Sequence, residues 1–357
     1  MHVIAARNVN SAYRSGMQLL ADHGVRSPSR NGPVLKLNEP VTTQYQYPNE
    51  RVLFDPKRNA NPFFHLFEAL WMLSGGNDVK MMDQFLPSFK QFSDNGETFH
   101  GAYGHRWRHW PVHTTTYGRE LDQLVNAIQM LRDNVADRRV VISMWDPERD
   151  LNVESKDIPC NDTIKLMVVN GRLNMIVFNR SNDIIYGAYG ANAVHLSILQ
   201  EYIAAMVGVP MGMYWQISTD FHAYLEQPYC FYDFYPTQTV LENPYEPRAR
   251  YPLRPCKLVE DPGMFDTELR DVVEEIRQHS FEDRRDLDFK NSFFAHVVWP
   301  MYRAFRQYRT DADLDGAILT LTEAQKPYPY DIDWLLAGKR WLQQIVNKRE
   351  KAAALAT

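Results

Sequence analysis

The sequence lacks the features that define several large classes of protein. It contains no run of about eighteen apolar residues, the length that a helix needs to span a membrane. Three cysteines among 357 residues are few and odd in number, so we expect no disulfide framework and a reducing compartment, the cytoplasm. The start, Met1 to Arg7, does not combine a basic region with a long apolar stretch, and no signal peptide is expected.

An excess of basic charge is also absent. The chain carries 44 acidic and 39 basic side chains, a formal net charge of −5, which argues against a protein that coats nucleic acid. No Walker loop, no GxGxxG after a strand and no zinc-like spacing of His and Cys occurs, so we expect neither a nucleoside-triphosphate site nor a metal. The hydrophobic fraction of 45% is that of a globular core.

What the sequence does contain is a clear alternation of helix and strand patterns. Asn61-Pro62 opens a strongly apolar helix that Gly75-Gly76 closes, whereas the first sixty residues are rich in turn formers, with an exposed basic loop over 26–33. The middle of the chain is predicted to hold an amphipathic helix over 120–132, strands over 139–145, 163–169 and 173–178 with a hairpin turn at Asn170-Gly171, a helix over 191–207 and a strand over 213–219.

The last third differs in composition. Pro228 to Pro255 is rich in proline and tyrosine and is predicted to be irregular, and helices are expected over 267–280, 292–309 and 333–350. No clean linker interrupts the sequence. We therefore expect one α+β domain over 1–357 with a helical C-terminal addition.

Cys160 is the first residue with chemical potential. It stands at the junction of a polar loop and a predicted strand, in Ile158-Pro159-Cys160-Asn161-Asp162. Nearby arginines would lower the pKa of such a thiol and make it a nucleophile. The alternative is a buried, inert cysteine.

Arginines beside strands form the second candidate group. Arg180 and Ser181, directly after a strand, could bind a phosphate, and Asp183 could order a water or polarise a bound molecule. The alternative is a turn whose polar side chains cap the next segment. Arg138 and Arg139 precede a strand and are equally compatible with solvated surface residues.

Two further positions combine polar groups with apolar surroundings. His222 and Tyr224 are two residues apart, so on a strand they face the same side and could recognise a sugar hydroxyl, or else form a buried pair. Glu68 lies within an apolar helix, where a carboxylate is costly unless it is paired or transfers protons. An exposed helix residue is the alternative for Glu68.

Together these segments resemble the thymidylate synthase superfamily, which includes the pyrimidine nucleotide hydroxymethylases, over about residues 60–226. The matching segments come in the family's order. They are Phe67-Glu68-Ala69-Leu70-Trp71-Met72-Leu73-Ser74-Gly75, Tyr103-Gly104-His105-Arg106-Trp107-Arg108-His109-Trp110, Asp137-Arg138-Arg139 with Ser143-Met144-Trp145-Asp146-Pro147, Pro159-Cys160, Arg180-Ser181-Asn182-Asp183, Gly187 with Asn192, and Asp220-Phe221-His222-Ala223-Tyr224.

The resemblance implies a fold and a reaction. The fold would be a mixed β-sheet packed with helices, with one sheet face forming a homodimer interface. Cys160 would add to C6 of a pyrimidine monophosphate, and C5 would then take the one-carbon unit of 5,10-methylenetetrahydrofolate. Residues 227–357 would be a divergent C-terminal region.

The resemblance also implies roles for single residues. Glu68 would organise water and proton transfers, Asn192 would contact the base edge, and Tyr103 would belong to the catalytic group. His222 and Tyr224 would contact the sugar 3′-hydroxyl. The phosphate would be bound by Arg180 and Ser181, by an N-terminal arginine, Arg30 rather than Arg26, and by Arg138 and Arg139 from the partner subunit. The folate would be bound by Asp183, Gly187 and Trp107.

Several positions depart from thymidylate synthases. Asn161 replaces the histidine that follows the nucleophile, and Ser88, Phe89 and Phe92 stand where a tryptophan before Asn95-Gly96 is expected. The last residues, 352–357, do not form the apolar tail that seals folate into the site. Without these shields water should reach the one-carbon unit more easily than hydride does, which favours a hydroxymethylase.

The identity of the base and the class of function leave alternatives. Asn192 favours dUMP, although the loop 187–192 is one residue longer than usual and leaves dCMP open. A methyl-forming thymidylate synthase is the main alternative to the hydroxymethylase. A nucleotide-binding protein without turnover would not need Cys160, and a thiol hydrolase built on Cys160 and His222 would not need the arginines.

Overall fold

The computed structural model describes residues 1–112, 120–226, 230–236, 243–246, 253–279 and 289–356. Its helices in chain order are α1 (Val9–His23), α2 (Pro62–Leu73), α3 (Val79–Phe85), α4 (Tyr103–Arg108), α5 (Gln123–Asp133), α6 (Pro147–Asp150), α7 (Asn192–Val207), α8 (Phe231–Phe234), α9 (Pro262–His279), α10 (Trp299–Arg309), α11 (Leu314–Gln325) and α12 (Asp333–Ala356). A 3₁₀ turn covers Pro87–Phe92, and π-helical turns precede α7 (Ile184–Ala191) and α10 (Phe294–Val298).

The strands form one large and two small sheets. In chain order they are β1 (His2–Ala6), β2 (Val25–Ser27), β3 (Val34–Lys36), β4 (Val41–Tyr45), β5 (Trp110–Pro111), β6 (Glu120–Leu121), β7 (Val141–Ser143), β8 (Asn161–Val169), β9 (Arg172–Asn179), β10 (Asn182–Asp183), β11 (Met211–Ser218) and β12 (Phe221–Tyr224). The large sheet has the order β1-β4-β11-β9-β8-β7, a second sheet pairs β10-β12-β3-β2, and β5 pairs with β6.

The large sheet mixes parallel and antiparallel neighbours. Strands β8 and β9 form an antiparallel hairpin, while β9 and β11 run parallel because α7 connects them. Asn170 and Gly171 both have positive φ, 50° and 71°, as the tight turn of this hairpin requires. Along β9 and β11 buried residues alternate with half-exposed or exposed ones, so one face of the sheet lies against the core.

Two buried helices, α2 and α7, pack against each other and carry site residues. Every residue of α2 is buried, and the side chain of Asn61 caps its first turn by accepting hydrogen bonds from the backbone of Phe63 and Phe64, both at 3.1 Å. Helix α7 is apolar nearly all round and is buried along most of its length. Both helices are therefore rigid supports for the polar residues they carry.

The C-terminal helices α10, α11 and α12 form a bundle against α2. Phe63 of α2 packs against Phe305 of α10 and Trp341 of α12, with ring centroids 5.1 Å and 5.6 Å apart. Glu68 lies on the same helix and faces a cavity. The helical addition therefore supports the helix that carries this carboxylate.

Most predicted elements are confirmed, and the N-terminal prediction is wrong. Residues 1–45 hold α1 and four strands instead of mainly turns, because apolar residues at 9, 12, 13, 16, 17 and 20 bury one face of α1. The middle helices and strands lie within a few residues of their expected bounds. Helix α11 was not predicted, and parts of the stretch 228–255 and residue 280 lie outside the described residues.

Across the described ranges, the helices are too short or too polar for any of them to cross a bilayer.

Candidate active site

Cys160 lies in a cavity of about 520 Å³. The residue directly precedes β8 of the large sheet, and strands β3 and β12 of the second sheet also contribute lining residues. This cavity brings together six residues that the sequence singled out, from four separate stretches of the chain. They are Arg30, Cys160, Arg180, Ser181, His222 and Tyr224. Arg30 lines the cavity and Arg26 is absent from its lining, which agrees with the preference for Arg30.

The position of Cys160 is fixed by Tyr103. The Tyr103 hydroxyl accepts hydrogen bonds from the backbone N–H of Cys160 at 2.9 Å and of Asn161 at 3.1 Å. Tyr103 begins α4, which packs so closely on α2 that a Cβ on Gly104 would lie 2.0 Å from the Met72 carbonyl oxygen. The glycine thus permits the helix contact that places Tyr103 beneath the thiol.

Arg180 holds the loop that carries the thiol. Its Nε donates to the Pro159 carbonyl at 2.7 Å, its Nη2 donates to the Ile158 carbonyl at 3.0 Å, and the same Nη2 lies 3.9 Å from the Cys160 sulfur. Burial raises the pKa of the Cys160 thiol, and the positive charges of Arg180 and Arg30 only partly offset this. The sequence-based expectation of a lowered thiol pKa is therefore wrong, because desolvation outweighs the arginines.

His222 and Tyr224 face the cavity from β12, as their spacing predicted. Their rings meet edge to face with centroids 5.5 Å apart. His222 Nδ1 lies 2.9 Å from a carboxylate oxygen of Asp220, which leaves Nε2 for a ligand. Burial disfavours the charged ring, but the hydrogen bond to Asp220 and the charges of Asp183 and Asp220 raise the His222 pKa overall.

A second cavity of about 1660 Å³ adjoins the first and contains Glu68 and Asp183. The two cavities share four lining residues, Arg30, Asn31, Lys156 and Tyr224. Ser88, Phe89 and Phe92 line the second cavity, and Phe92 is 39% exposed. The segment that replaces the expected tryptophan therefore lies where the large cavity opens.

Glu68 is paired with a histidine that the sequence analysis missed. His195 Nε2 of α7 lies 3.0 Å from Glu68 Oε2, and the two residues are only 4% and 8% exposed. A sequence signal existed, because His195 is three residues after Asn192 and so lies on the same face of α7. A buried carboxylate next to an imidazole is an arrangement that can pass a proton.

Asp183 caps the π-helical turn that leads into α7. Its carboxylate accepts hydrogen bonds from the backbone of Ile185 at 3.1 Å and Tyr186 at 3.2 Å. Burial raises its pKa, while His222, these two hydrogen bonds and Arg58 act in the opposite direction. Asp183 therefore lines the second cavity, and its charge also raises the pKa of His222 in the first cavity.

Three predicted residues are not among the lining residues of either cavity. Asn192 is hydrogen-bonded to Asn161 and Asn182 through its side chain. Gly187 lies beside these amides, where a Cβ would come within 3.2 Å of Asn182 Oδ1. Trp107 is 1% exposed and lines neither cavity. The expected folate contact of Trp107 is unsupported, because the packing of α4 against α2 and α5 buries this ring in the core.

Arg138 and Arg139 are exposed and do not line either cavity of their own subunit. Arg139 is held by Asp137, whose carboxylate accepts from its backbone N–H at 2.8 Å, Nε at 3.1 Å and Nη2 at 2.7 Å. These contacts lower the Asp137 pKa to about 2. The local fold thus presents a prearranged arginine at the surface.

The described residues contain no group of three or more His, Cys, Asp or Glu side chains arranged to hold a metal ion.

Comparison with known proteins agrees with this geometry. The family model described as thymidylate synthase matches residues 11–278, which extends on both sides of the motifs found over 60–226. A protein of Pseudomonas phage M6 named deoxyuridylate hydroxymethyltransferase is 42% identical over 355 residues, which cover 96% of this chain and 94% of the relative.

Two more distant relatives bear the same name. The protein of Bacillus phage SP01 is 36% identical over 199 residues, 55% of this chain and 52% of that relative. The protein of Delftia phage PhiW-14 is 30% identical over 234 residues, 62% of each chain.

Proposed function

This chain belongs to the thymidylate synthase family, and we propose that it is a deoxyuridine monophosphate hydroxymethylase. It is a transferase of one-carbon groups, and the relatives named above carry the hydroxymethyl version of that activity in their names. The observation that carries the proposal is the pair of joined cavities, with a positioned thiol in one and, in the other, the carboxylate of Glu68, which the buried His195 approaches from behind.

The nucleotide would occupy the Cys160 cavity. Arg180, Ser181 and Arg30 supply charge-assisted and hydroxyl hydrogen bonds to its phosphate. His222 and Tyr224 contact the sugar 3′-hydroxyl, and Asn192 contacts the base edge. Arg138 and Arg139, which point away from the cavity of their own subunit, complete the phosphate site of the partner.

Cys160 then acts as a nucleophile. Its sulfur bonds to C6 of the uracil ring, and the electrons of the C5–C6 double bond make C5 able to attack an electrophilic carbon. Arg180, 3.9 Å from the sulfur, favours the thiolate against the cost of burial. Tyr103 keeps the thiol aligned because it binds the backbone N–H groups of both Cys160 and Asn161.

The second cavity would bind 5,10-methylenetetrahydrofolate, which supplies the one-carbon unit. Its volume of about 1660 Å³ and its aromatic lining suit a large heterocycle. Asp183 offers a buried carboxylate to the pterin ring, and Gly187 keeps the neighbouring wall open. Glu68 and His195 are arranged to bind water and to move the proton that leaves C5.

Access of water decides the final product. Loss of the C5 proton and of tetrahydrofolate leaves an exocyclic methylene on C5 while Cys160 is still bonded to C6. Hydride from tetrahydrofolate would convert this methylene to a methyl group and water would convert it to a hydroxymethyl group, and either addition re-forms the C5–C6 double bond as the Cys160 thiolate leaves. All lining residues that the structure describes for the large cavity fall between Arg30 and Glu226, so the described C-terminal helices do not line it. The exposed Phe92 and the small Ser88 leave this edge less shielded than an indole ring would, which favours water.

The test is the mass of the product from dUMP and methylenetetrahydrofolate. We expect a product one oxygen heavier than dTMP, released with tetrahydrofolate, and much slower turnover of dCMP. Formation of dTMP with dihydrofolate would make the protein a thymidylate synthase, and preferential turnover of dCMP would make it a cytosine hydroxymethylase. A Cys160→Ala variant that retained full turnover would contradict every step above.

A homodimer is part of the proposal because the outer face of the large sheet is half-exposed and apolar. Ile176 and Phe178 of β9 lie in register with Trp215 and Ile217 of β11 and face away from the core. The exposed Met213 extends this patch. A second copy of the chain packed on this face would bury the patch, and its Arg138 and Arg139 would then reach the phosphate site of the first copy.

A further inference from the structure

A continuous chain of buried side-chain amides runs behind the Cys160 cavity and crosses four strands and the start of α7. Each amide nitrogen donates to the oxygen of the next amide, and every member is at most 9% exposed. The members in order of donation are Asn179, Asn161, Asn192, Asn182 and Gln216. The measured links are 3.2 Å from Asn161 to Asn192, 3.1 Å from Asn192 to Asn182 and 3.1 Å from Asn182 to Gln216.

The direction of this chain is set by a backbone carbonyl at its end. Gln216 lies 3.1 Å from the carbonyl oxygen of Ala188, which can only accept a hydrogen bond, so the Gln216 nitrogen must face it. The Gln216 oxygen then faces Asn182, which must present its nitrogen there and its oxygen to Asn192. By the same reasoning the nitrogen of Asn192 faces Asn182 and its oxygen faces Asn161.

Asn192 is therefore unable to rotate its amide alone. A half-turn would set two N–H groups against each other at Asn161 and two oxygens against each other at Asn182, in a buried setting where such contacts are costly. In the orientation that the chain imposes, one N–H and one oxygen lone pair of Asn192 are still unused. Asn192 can offer a ligand one donor and one acceptor, in one order only.

That order distinguishes the two pyrimidines. Uracil presents a carbonyl at C4 beside an N3–H, whereas cytosine presents an amino group at C4 beside an unprotonated N3, which is the reverse pattern. We propose that the amide chain locks Asn192 in the orientation that binds uracil, and that Asn161 and Asn182 are the positioning residues that exclude cytosine. This inference rests on the proposed function, in which Asn192 contacts the base edge.

The test compares the same chemical change at the two neighbours of Asn192. Asn161→Asp replaces the donor that Asn192 needs by an acceptor, so the lock is lost and the ratio of kcat/KM for dUMP to that for dCMP should fall about tenfold or more. Asn182→Asp still accepts from Asn192, so its ratio should stay within about threefold of the wild type. Both variants add one carboxylate to the same buried chain. A general effect of charge or folding would therefore lower the turnover of dUMP and of dCMP alike, and the ratio would not differ between the two variants.

Binding of dUMP and dCMP without folate, measured by titration calorimetry, should show the same contrast between the variants. A thermal melt establishes that each variant is folded. If Asn161→Asp does not fold, the neutral Asn161→Ala variant, which leaves Asn192 held from the Asn182 side alone, should lower the same ratio by a smaller factor.

Two results would overturn the inference: an unchanged ratio in the folded Asn161 variant, or an equal fall in the ratio in both aspartate variants. Failure of the proposed function looks different, since the wild type would then form no hydroxymethyl product from dUMP. If the wild type prefers dUMP and the Asn161 variants keep the same preference, the proposed function stands and only the role of the amide chain is refuted.

Discussion

At the scale of single residues, the thiol of Cys160 is subject to two opposing influences. Burial disfavours the thiolate and raises the pKa, while the guanidinium of Arg180 favours the thiolate. The balance leaves a pKa above that of an ordinary thiol.

We expect this balance to be visible in the pH dependence of alkylation. The rate at which iodoacetamide labels Cys160 should reach half of its maximum at a pH above that of a free thiol, and Arg180→Gln should move the midpoint higher still, because a stabilising positive charge is lost. Peptide mass spectrometry separates this labelling from that of Cys230 and Cys256.

Lys36→Gln is the matched control. It also removes one positive charge from the lining of the same cavity, but Lys36 is paired with Asp220 at 3.1 Å, so the midpoint should stay close to that of the wild type. Equal upward shifts in both variants, or a downward shift in Arg180→Gln, would contradict the role given to Arg180.

At the scale of elements, helix α2 connects the C-terminal bundle to the site. Its Phe63 side packs on α10 and α12, and Glu68 of the same helix faces the large cavity. Gly338 allows this close packing, because a Cβ there would lie 2.9 Å from Met301 Sδ and 3.2 Å from Phe63 Cζ. The C-terminal helices thus act on the site through α2 without lining the cavity.

Phe305→Ala tests this support. Phe305 is 1% exposed and contacts Phe63, so its truncation should lower the free energy of unfolding by about 3–5 kcal/mol. Arg309→Ala, at the exposed end of the same helix, should change it by less than about 0.5 kcal/mol. Urea unfolding measures both, and a loss in Phe305→Ala no larger than in the control would show that α10 does not support α2.

The elements that sequence predicted well are those with a strong local pattern. Helix α2 and the hairpin of β8 and β9 follow from continuous apolar runs, an Asn-Pro start and an Asn-Gly turn. Helix α1 was not predicted, although its buried residues follow helical spacing, because Asn8, Asn10, Ser11, Ser15 and Gly16 give this segment the composition of a turn-rich stretch.

The candidate site was predictable where its residues lie in recognisable motifs. Cys160, Arg180 and His222 come together as the motifs indicated. His195 and the polarity of the amide chain were not predictable, because each depends on which side chains the packing of α7 against α2 and the large sheet brings into contact. The raised pKa of Cys160 likewise reflects burial, which a count of neighbouring arginines does not measure.

At the scale of the whole molecule, the proposed homodimer rests on two surface features. The outer sheet face carries half-exposed aromatic and aliphatic residues in register, and Asp137 fixes Arg139 outside both cavities of its own chain. A homodimer on the sheet face would use both features. The arginines would then act in the partner's site.

Mixed dimers test this arrangement. Cys160→Ala and the double variant Arg138→Ala, Arg139→Ala should each have little or no activity alone. Coexpressed with separate tags, they should regain up to about a quarter of wild-type activity, because half of the dimers are mixed and each mixed dimer contains one complete site.

The control is the mixture of Cys160→Ala with a variant that carries Cys160→Ala and both arginine substitutions, which offers no complete site and should stay inactive. Absence of recovery in dimers that are confirmed to be mixed would show that the arginines do not act across the interface.

The wall that the two cavities share gives the molecule one more property. Arg30, Asn31, Lys156 and Tyr224 line both spaces, so a ligand that orders these side chains from one side changes the free energy of binding on the other. Linkage requires the effect to be mutual: the factor by which nucleotide raises the affinity for folate equals the factor by which folate raises the affinity for nucleotide. If nucleotide and folate bind as proposed, these four shared side chains would couple them into one thermodynamic unit.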